Sequence, residues 1–154
     1  MTNKQETINQ IREFNRFYTV LFGFLNRNYL DSNYSVTETR ILFELRQNEQ
    51  LNANKLIDLL HLDKSYISRI IRNFEKAELI TRTPAFDDKR TLIIQLTYKG
   101  LEETERLISI TNLEIFKLIE PFNLETCDDL CKAMKNIINI FTNNNDLQEE
   151  YDGN

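Results

Sequence analysis

The chain holds few of the side chains on which enzymes rely. His61 is its only histidine, and Cys127 and Cys131 are its only cysteines. Cysteines four apart on one helix are poorly placed for a disulfide with each other. A buried thiol ordinarily behaves as a small hydrophobe, and a redox role would need a lowered thiol pKa or pairing between subunits. The sequence contains no glycine-rich phosphate loop, no His-Glu-x-x-His, no Cys-x-x-Cys and no nucleophile signature. These residues predict no enzyme, no cofactor and no metal site.

What remains is the chemistry of recognition. From Leu51 to Lys99 there are nine Lys or Arg against six Asp or Glu, while the rest of the chain has ten against eighteen. A locally basic segment in a protein of net charge -5 suits a directed contact with a polyanion rather than indiscriminate binding, although such a balance also arises by chance. At about 100° per residue, a helix from Lys64 to about Glu78 puts Ile67, Ile70, Ile71, Phe74 and Ala77 on one side. Opposite lie Ser65, Ser68, Arg69, Arg72 and Lys76, with Tyr66 and Asn73 flanking. Arginine can grip guanine O6 and N7 with two donors, and Ser or Tyr can reach base edges or phosphates. Most basic residues on helices simply face solvent, so this face alone is weak evidence.

The flanking elements strengthen it. LNANKLIDLLHL reads as a short helix capped by Asn52, with Leu56, Ile57, Leu59 and Leu60 inward. Leu62-Asp63 makes a tight turn, and Asp63 caps the helix that follows, giving a helix-turn-helix pattern. LITRTPAF and RTLIIQLT read as two strands, the second with Leu92, Ile94 and Leu96 alternating against Thr91, Ile93 and Gln95. Between them, Phe86 to Arg90 forms a hairpin tip whose Lys89 and Arg90 can enter a minor groove. The whole is a winged helix.

Long helices surround that lobe. Three Gly and two Pro among 154 residues favour them. From Thr7 to Tyr29 the sequence predicts an amphipathic helix rich in aromatics, including Phe14, Phe17, Tyr18, Phe22, Phe24 and Tyr29. That stripe suits a core or a dimer interface, or the wall of a ligand pocket. Asp31-Ser32-Asn33 reads as a turn, and Ser35 or Thr37 as the cap of a helix with Ile41, Leu42 and Leu45. Thr97 caps a helix that Pro121 ends, with Leu101, Ile108, Ile115 and Ile119 as its inward stripe, widened by Leu107 and Leu118. Asn123 caps a last helix whose Leu124, Cys127, Cys131, Met134, Ile138 and Phe141 follow heptad-like steps. The tail from Asn143 to Asn154 is expected to fray. The fold class is therefore mainly α with a small β-wing.

Three features resemble the MarR family of bacterial transcription regulators: Leu79 to Arg82 at the strand start, Asp88-Lys89-Arg90 in the wing, and Leu96-Thr97 followed by Gly100. The order of helices on both sides matches as well. The resemblance implies a homodimer built from residues 1–30 and 101–145, carrying two winged helix-turn-helix lobes (residues 35–100) to a pseudo-palindromic double-stranded DNA operator. It implies base or phosphate contacts from Lys64, Ser65, Tyr66, Ser68 and Arg69, with Arg72 and Lys76 continuing the face. It assigns Lys89 and Arg90 to the minor groove, with Asp88 supporting the wing and Arg82 pairing with an acid such as Asp88. Repression released by a small lipophilic or phenolic effector is also implied, the effector lying against Phe14, Tyr18 and Phe22. The alternative is a winged-helix dimerisation module without specific DNA binding.

The chain departs from the family pattern in places. Glu78 stands where the family usually has Gly after the recognition helix, a substitution that costs ~1 kcal/mol if the backbone there is left-handed. Asp87 adds an acid to the wing. The cysteine of the peroxide-sensing branch is missing from the first helix, and a single His disfavours metal sensing. No apolar run approaches the ~18 residues of a membrane span, and MTNKQETINQIREF is no signal peptide. These point to the cytoplasm and away from membranes.

Overall fold

The computed structural model describes residues 3–23 and 32–143. Among them lie α1 (Lys4–Leu21), α2 (Val36–Gln47), α3 (Ala53–Leu60), α4 (Lys64–Lys76), β1 (Ile80–Pro84), β2 (Leu92–Leu96), α5 (Tyr98–Ile119) and α6 (Leu124–Asn143). The expected fold class, helical with a two-stranded wing, is the one observed. Phe24, Leu25, Tyr29, Asp31 and the tail after Asn143 lie outside the described residues. The chain divides into two compact units, Met1–Asn112 and Leu113–Asn154.

In the first unit each helix of the lobe begins at a side-chain cap. Ser35, not Thr37, caps α2: its hydroxyl accepts from the Glu38 N–H at 3.2 Å, and Glu38 accepts from the Ser35 N–H at 2.7 Å. Asn52 Oδ1 accepts from the Lys55 N–H at 3.0 Å to start α3. His61 ends α3 in the left-handed region at φ 49°, which turns the chain within two residues to the Asp63 cap of α4. This tight turn sets α3 and α4 against each other.

The core of the unit joins Ile41, Leu42 and Leu45 of α2 to Leu56 and Leu60 of α3, and both to Ile67, Ile70, Ile71 and Phe74 of α4. Leu51, Leu79, Ile80, Ile94 and Leu107 close it. The wing is an antiparallel pair in which Ile80 faces Leu96 and Pro84 faces Leu92. The Ile94 N–H donates to the Leu51 carbonyl at 2.8 Å, pinning β2 to the segment before α3.

Four expectations for side-chain placement need correction. Leu59 is 46% exposed, because α3 is covered only on the side bearing Leu56 and Leu60. Ala77 is exposed, since α4 stops at Lys76 and the chain turns away from the helical path there. Leu92 is exposed and Ile93 and Ile94 are both buried, so β2 breaks the expected alternation. Leu92 pairs with Pro84 at the outer end of the ribbon, beyond the reach of the core. In α5 the buried residues are Gly100, Thr104, Leu107 and Thr111, while Leu101 is exposed. The threonines tolerate burial because their hydroxyls donate to the Gly100 and Leu107 carbonyls, at 2.7 and 2.9 Å.

Helix α1 starts earlier than expected, at an Asn3 cap, and buries no side chain. Along it the rings of Phe14 and Tyr18 stack at 5.9 Å, and those of Tyr18 and Phe22 approach to 4.9 Å. In the second unit, Asn123 Oδ1 accepts from the Thr126 N–H at 2.8 Å to begin α6. Helix α6 likewise buries none of its residues, and Met134, Ile138 and Phe141 stand exposed on it. No helix among the described residues is long and apolar enough to cross a membrane.

Candidate nucleic-acid interface

The candidate interface comprises the exposed side of α4 and the wing. Asp63 holds the start of α4: its Oδ2 accepts from the Ser65 N–H at 2.9 Å, from the Tyr66 N–H at 3.1 Å and from the Ser65 hydroxyl. The Ser65 hydroxyl, with the Tyr66 and Ser65 amides, keeps the Asp63 carboxyl below its usual range. The cap also consumes the Ser65 proton. Ser65 can then accept from a base donor but has no proton for a phosphate, which needs one.

One turn on, the Arg69 guanidinium lies 5.2 Å from the centre of the Tyr66 ring. Tyr66 packs in part against the core, so Arg69 rests on a ring that is itself held in place. Arg72 Nε approaches the Ser68 carbonyl at 3.4 Å, laying its side chain back along the helix. Lys64 is exposed at the first position of α4 and Lys76 at its last.

In the wing, Asp88 organises the tip. Its carboxylate accepts from the Arg90 N–H and from the Thr91 hydroxyl, both at 3.0 Å. The Ala85 N–H closes the loop onto the Thr91 carbonyl at 2.8 Å. Lys89 and Arg90 project from this tied turn as exposed residues. Arg82 does not pair with Asp88. It grips Glu75 of α4 with two donors, Nε to Oε1 at 3.1 Å and a second bond to Oε2. Asp88 is already engaged by its own loop, and Glu75 comes within reach because β1 leaves α4 by a turn that doubles back along the helix. The Arg82 hydrogen bonds hold the Glu75 carboxyl below its usual range.

These elements frame an open cleft of about 360 Å³ between the start of α3, the face of α4 and the wing. Ser68, Arg72, Arg82 and Arg90 line it together with Asn52 and Asn54. Of the residues expected at the site, Ser68, Arg72, Arg82 and Arg90 thus converge. Lys64, Ser65, Tyr66, Arg69, Lys76 and Lys89 lie outside the cleft, on α4 and on the wing tip. Asn52, Asn54 and Glu75 were not anticipated. Asn52 reads only as a helix cap and Asn54 carries no signal of its own, while Glu75 and Arg82 lie on different elements, so no single helical or strand period relates them. Phe14, Tyr18 and Phe22, the residues expected at an effector site, form the aromatic row on α1 described above. His61 is exposed at its turn, and no cluster of metal-binding side chains occurs among the described residues.

Comparison with known proteins bears on the family and the fold. The profile of the MarR family matches residues 34–92, the lobe from the α2 cap to the start of β2. The HTH-type transcriptional regulator SarZ of Staphylococcus saprophyticus is 30% identical over 101 residues, 64% of this chain and 66% of that protein. SarZ of Staphylococcus aureus is 28% identical over 123 residues, 77% of this chain and 80% of that one. A MarR family transcriptional regulator from Listeria monocytogenes, solved with a 26-mer DNA, shares the fold with a TM-score of 0.69 at 20% identity, covering 94% of this chain and 92% of its own. The profile spans the motifs at Leu79 to Arg82 and Asp88 to Arg90, the relatives and the fold agree with it, and the chain belongs to the MarR family of winged helix-turn-helix transcriptional regulators.

Proposed function

We propose that the chain is a sequence-specific regulator that binds double-stranded DNA as a homodimer and represses transcription until a signal releases it. The observation that carries this reading is the cleft itself. Ser68 and Arg72 of α4 and Arg90 of the wing converge on one open surface, with Arg69 braced on Tyr66 beside it. Such a surface can pair one side chain with base edges while others hold phosphates. The Listeria relative crystallised with DNA supports the same use of the fold.

In this reading residues 35–100 form the reading lobe, and residues 1–30 and 101–145 join two copies. Exposed apolar side chains on α1 and α6, among them Phe14, Phe17, Ile138 and Phe141, support a second copy as their cover. Arg69, with Ser65 and Ser68, supplies base readout. Arg72, Lys64, Lys76, Lys89 and Arg90 supply phosphate and minor-groove anchoring, with Asp88 holding the wing tip. The row of Phe14, Tyr18 and Phe22 is the place for a small lipophilic or phenolic effector. The site of action is the cytoplasm, where the DNA is.

Fluorescence anisotropy on the DNA upstream of its own coding region, beside an unrelated duplex, tests the reading. Preference for the upstream DNA at moderate salt is expected. Equal affinity for both duplexes would leave the dimerisation-module alternative in place. Arg90→Ala is expected to weaken binding and to reduce the slope of log K against log salt by about 0.9, the value of one phosphate contact.

A further inference from the structure

The cleft contains three arginines, but they are not equivalent. Among the described residues the guanidiniums of Arg72 and Arg90 meet no carboxylate: Arg72 Nε reaches only the Ser68 carbonyl, and Arg90 bonds Asp88 through its backbone N–H alone. Arg82 alone is held by a carboxylate, through two parallel hydrogen bonds to Glu75. This is the fork-to-fork geometry that satisfies both partners at once. The pair is also partly open to solvent, with side-chain exposures of 33% for Arg82 and 40% for Glu75. Its guanidinium therefore lies where a phosphate at the cleft could compete for it. The Glu75 carboxyl is held below its ordinary range by the same bonds, so it stays charged wherever the protein is folded near neutral pH.

From this arrangement we infer that Glu75 is a specificity-determining residue: it withholds Arg82 from the DNA backbone, so that the cleft holds nucleic acid with two arginines rather than three. The inference rests on the DNA-binding reading above and assigns Glu75 a task within it. The physical reason is the character of phosphate contacts. They act on any sequence and raise non-specific binding as much as specific binding. A third free arginine at the cleft would tighten the grip on every duplex and narrow the margin for the operator. A carboxylate on the recognition helix, bonded to the wing, removes that contribution and also keeps a fixed link between α4 and β1. The bland alternative is that Glu75 is only this brace, and the two roles separate in the salt dependence of binding.

The test uses the full-length protein and an unrelated duplex, with anisotropy measured between 50 and 200 mM salt. Glu75→Gln keeps the shape of the side chain and removes its charge. It is expected to bind the unrelated duplex more tightly at low salt and to steepen the salt slope by about 0.9. Its affinity then falls roughly 3.5-fold further than that of the unchanged protein across that range. General loss of a negative charge could imitate this, so the same substitution is made in an Arg82→Gln background. There the steepening must vanish if it arises from the freed Arg82. An unchanged slope in Glu75→Gln, or an equal steepening with Arg82 replaced, overturns the inference. Failure of the unsubstituted protein to bind any duplex overturns the DNA-binding reading instead, so the two failures are distinguishable. Thermal unfolding of each variant, expected to remain a single transition, confirms that binding is compared between folded proteins.

Discussion

Gly100 lies so close to Leu79 that a Cβ on it would stand 1.9 Å from the Leu79 carbonyl oxygen. The start of α5 is thereby laid directly on the segment where α4 ends and β1 begins. Around this approach, the Thr97 N–H donates to the Leu79 carbonyl at 2.9 Å and the Thr97 hydroxyl to the Glu78 carbonyl at 2.6 Å. The Lys99 ammonium donates to the Ala77 carbonyl at 2.8 Å. The carbonyls of Ala77, Glu78 and Leu79, just past the end of α4, are thus satisfied by Thr97 and Lys99, and α4 is fixed to the helix that leaves the lobe.

Gly100→Ala is expected to destabilise the fold by about 3 kcal/mol, because the obstructing atom is backbone and cannot rotate away. Urea unfolding of the variant should show a lower midpoint at an unchanged m-value. A loss under about 0.5 kcal/mol would mean that α5 can shift freely, and that its packing is not set at this point.

Glu78 adopts φ 60°, in the left-handed region. Its N–H donates to the Glu75 carbonyl and its own carbonyl receives the Thr97 hydroxyl, both backbone interactions that need no side chain. Glu78→Gly should therefore relieve strain and stabilise the protein by about 0.5–1 kcal/mol after the entropy cost of glycine. A lower melting temperature for this variant would show that the glutamate side chain contributes something the backbone does not.

Arg69 rests on the Tyr66 ring at 5.2 Å, an arrangement worth about 0.5–1 kcal/mol at an exposed site. Tyr66→Leu is expected to weaken binding to a preferred duplex by about two- to five-fold by that measure. Tyr66→Phe keeps the ring and should retain most of the affinity. Equal losses in both variants would point to the Tyr66 hydroxyl as the working group.

Asp63 titrates below its ordinary value because its carboxylate accepts from the Ser65 hydroxyl and from two amides. A depressed folded-state pKa contributes stability that is present above the unfolded value, about 3.9, and is lost as pH falls through the folded value. Asp63→Asn retains a capping side chain but cannot titrate. Its stability should decline less steeply than that of the unchanged protein between pH 5 and pH 2 (about the range over which such a carboxylate protonates). Superimposable acid curves would remove Asp63 from the acid sensitivity of the fold.

Much of the lobe was legible because its signals are local. Asn52, Asp63 and Thr97, the last accepting from the Gly100 N–H at 3.0 Å, cap the helices that their positions announce, since a cap reaches only two or three residues along the chain. The face of α4 followed from helical geometry, with Ile67, Ile70, Ile71 and Phe74 buried as the period requires. The motif from Leu79 to Gly100 carried the family. The left-handed backbone at Glu78 could be anticipated only as a condition set by the missing glycine.

Sequence by itself therefore determined the order of the elements, the caps at Asn52, Asp63, Thr97 and Asn123, the basic side of α4 and the resemblance that names the family. Tertiary structure decided the relations between elements. It turned α5 so that Gly100, Thr104, Leu107 and Thr111 face inward, because a close backbone approach and satisfied hydroxyls outweigh the more apolar stripe beside them. It buried neighbours Ile93 and Ile94 together, where alternation alone would separate them. It also gave Arg82 to Glu75 instead of Asp88. That choice depends on which carboxylate the returning strand meets and which is already occupied, a matter of distance in space that no spacing along the chain encodes.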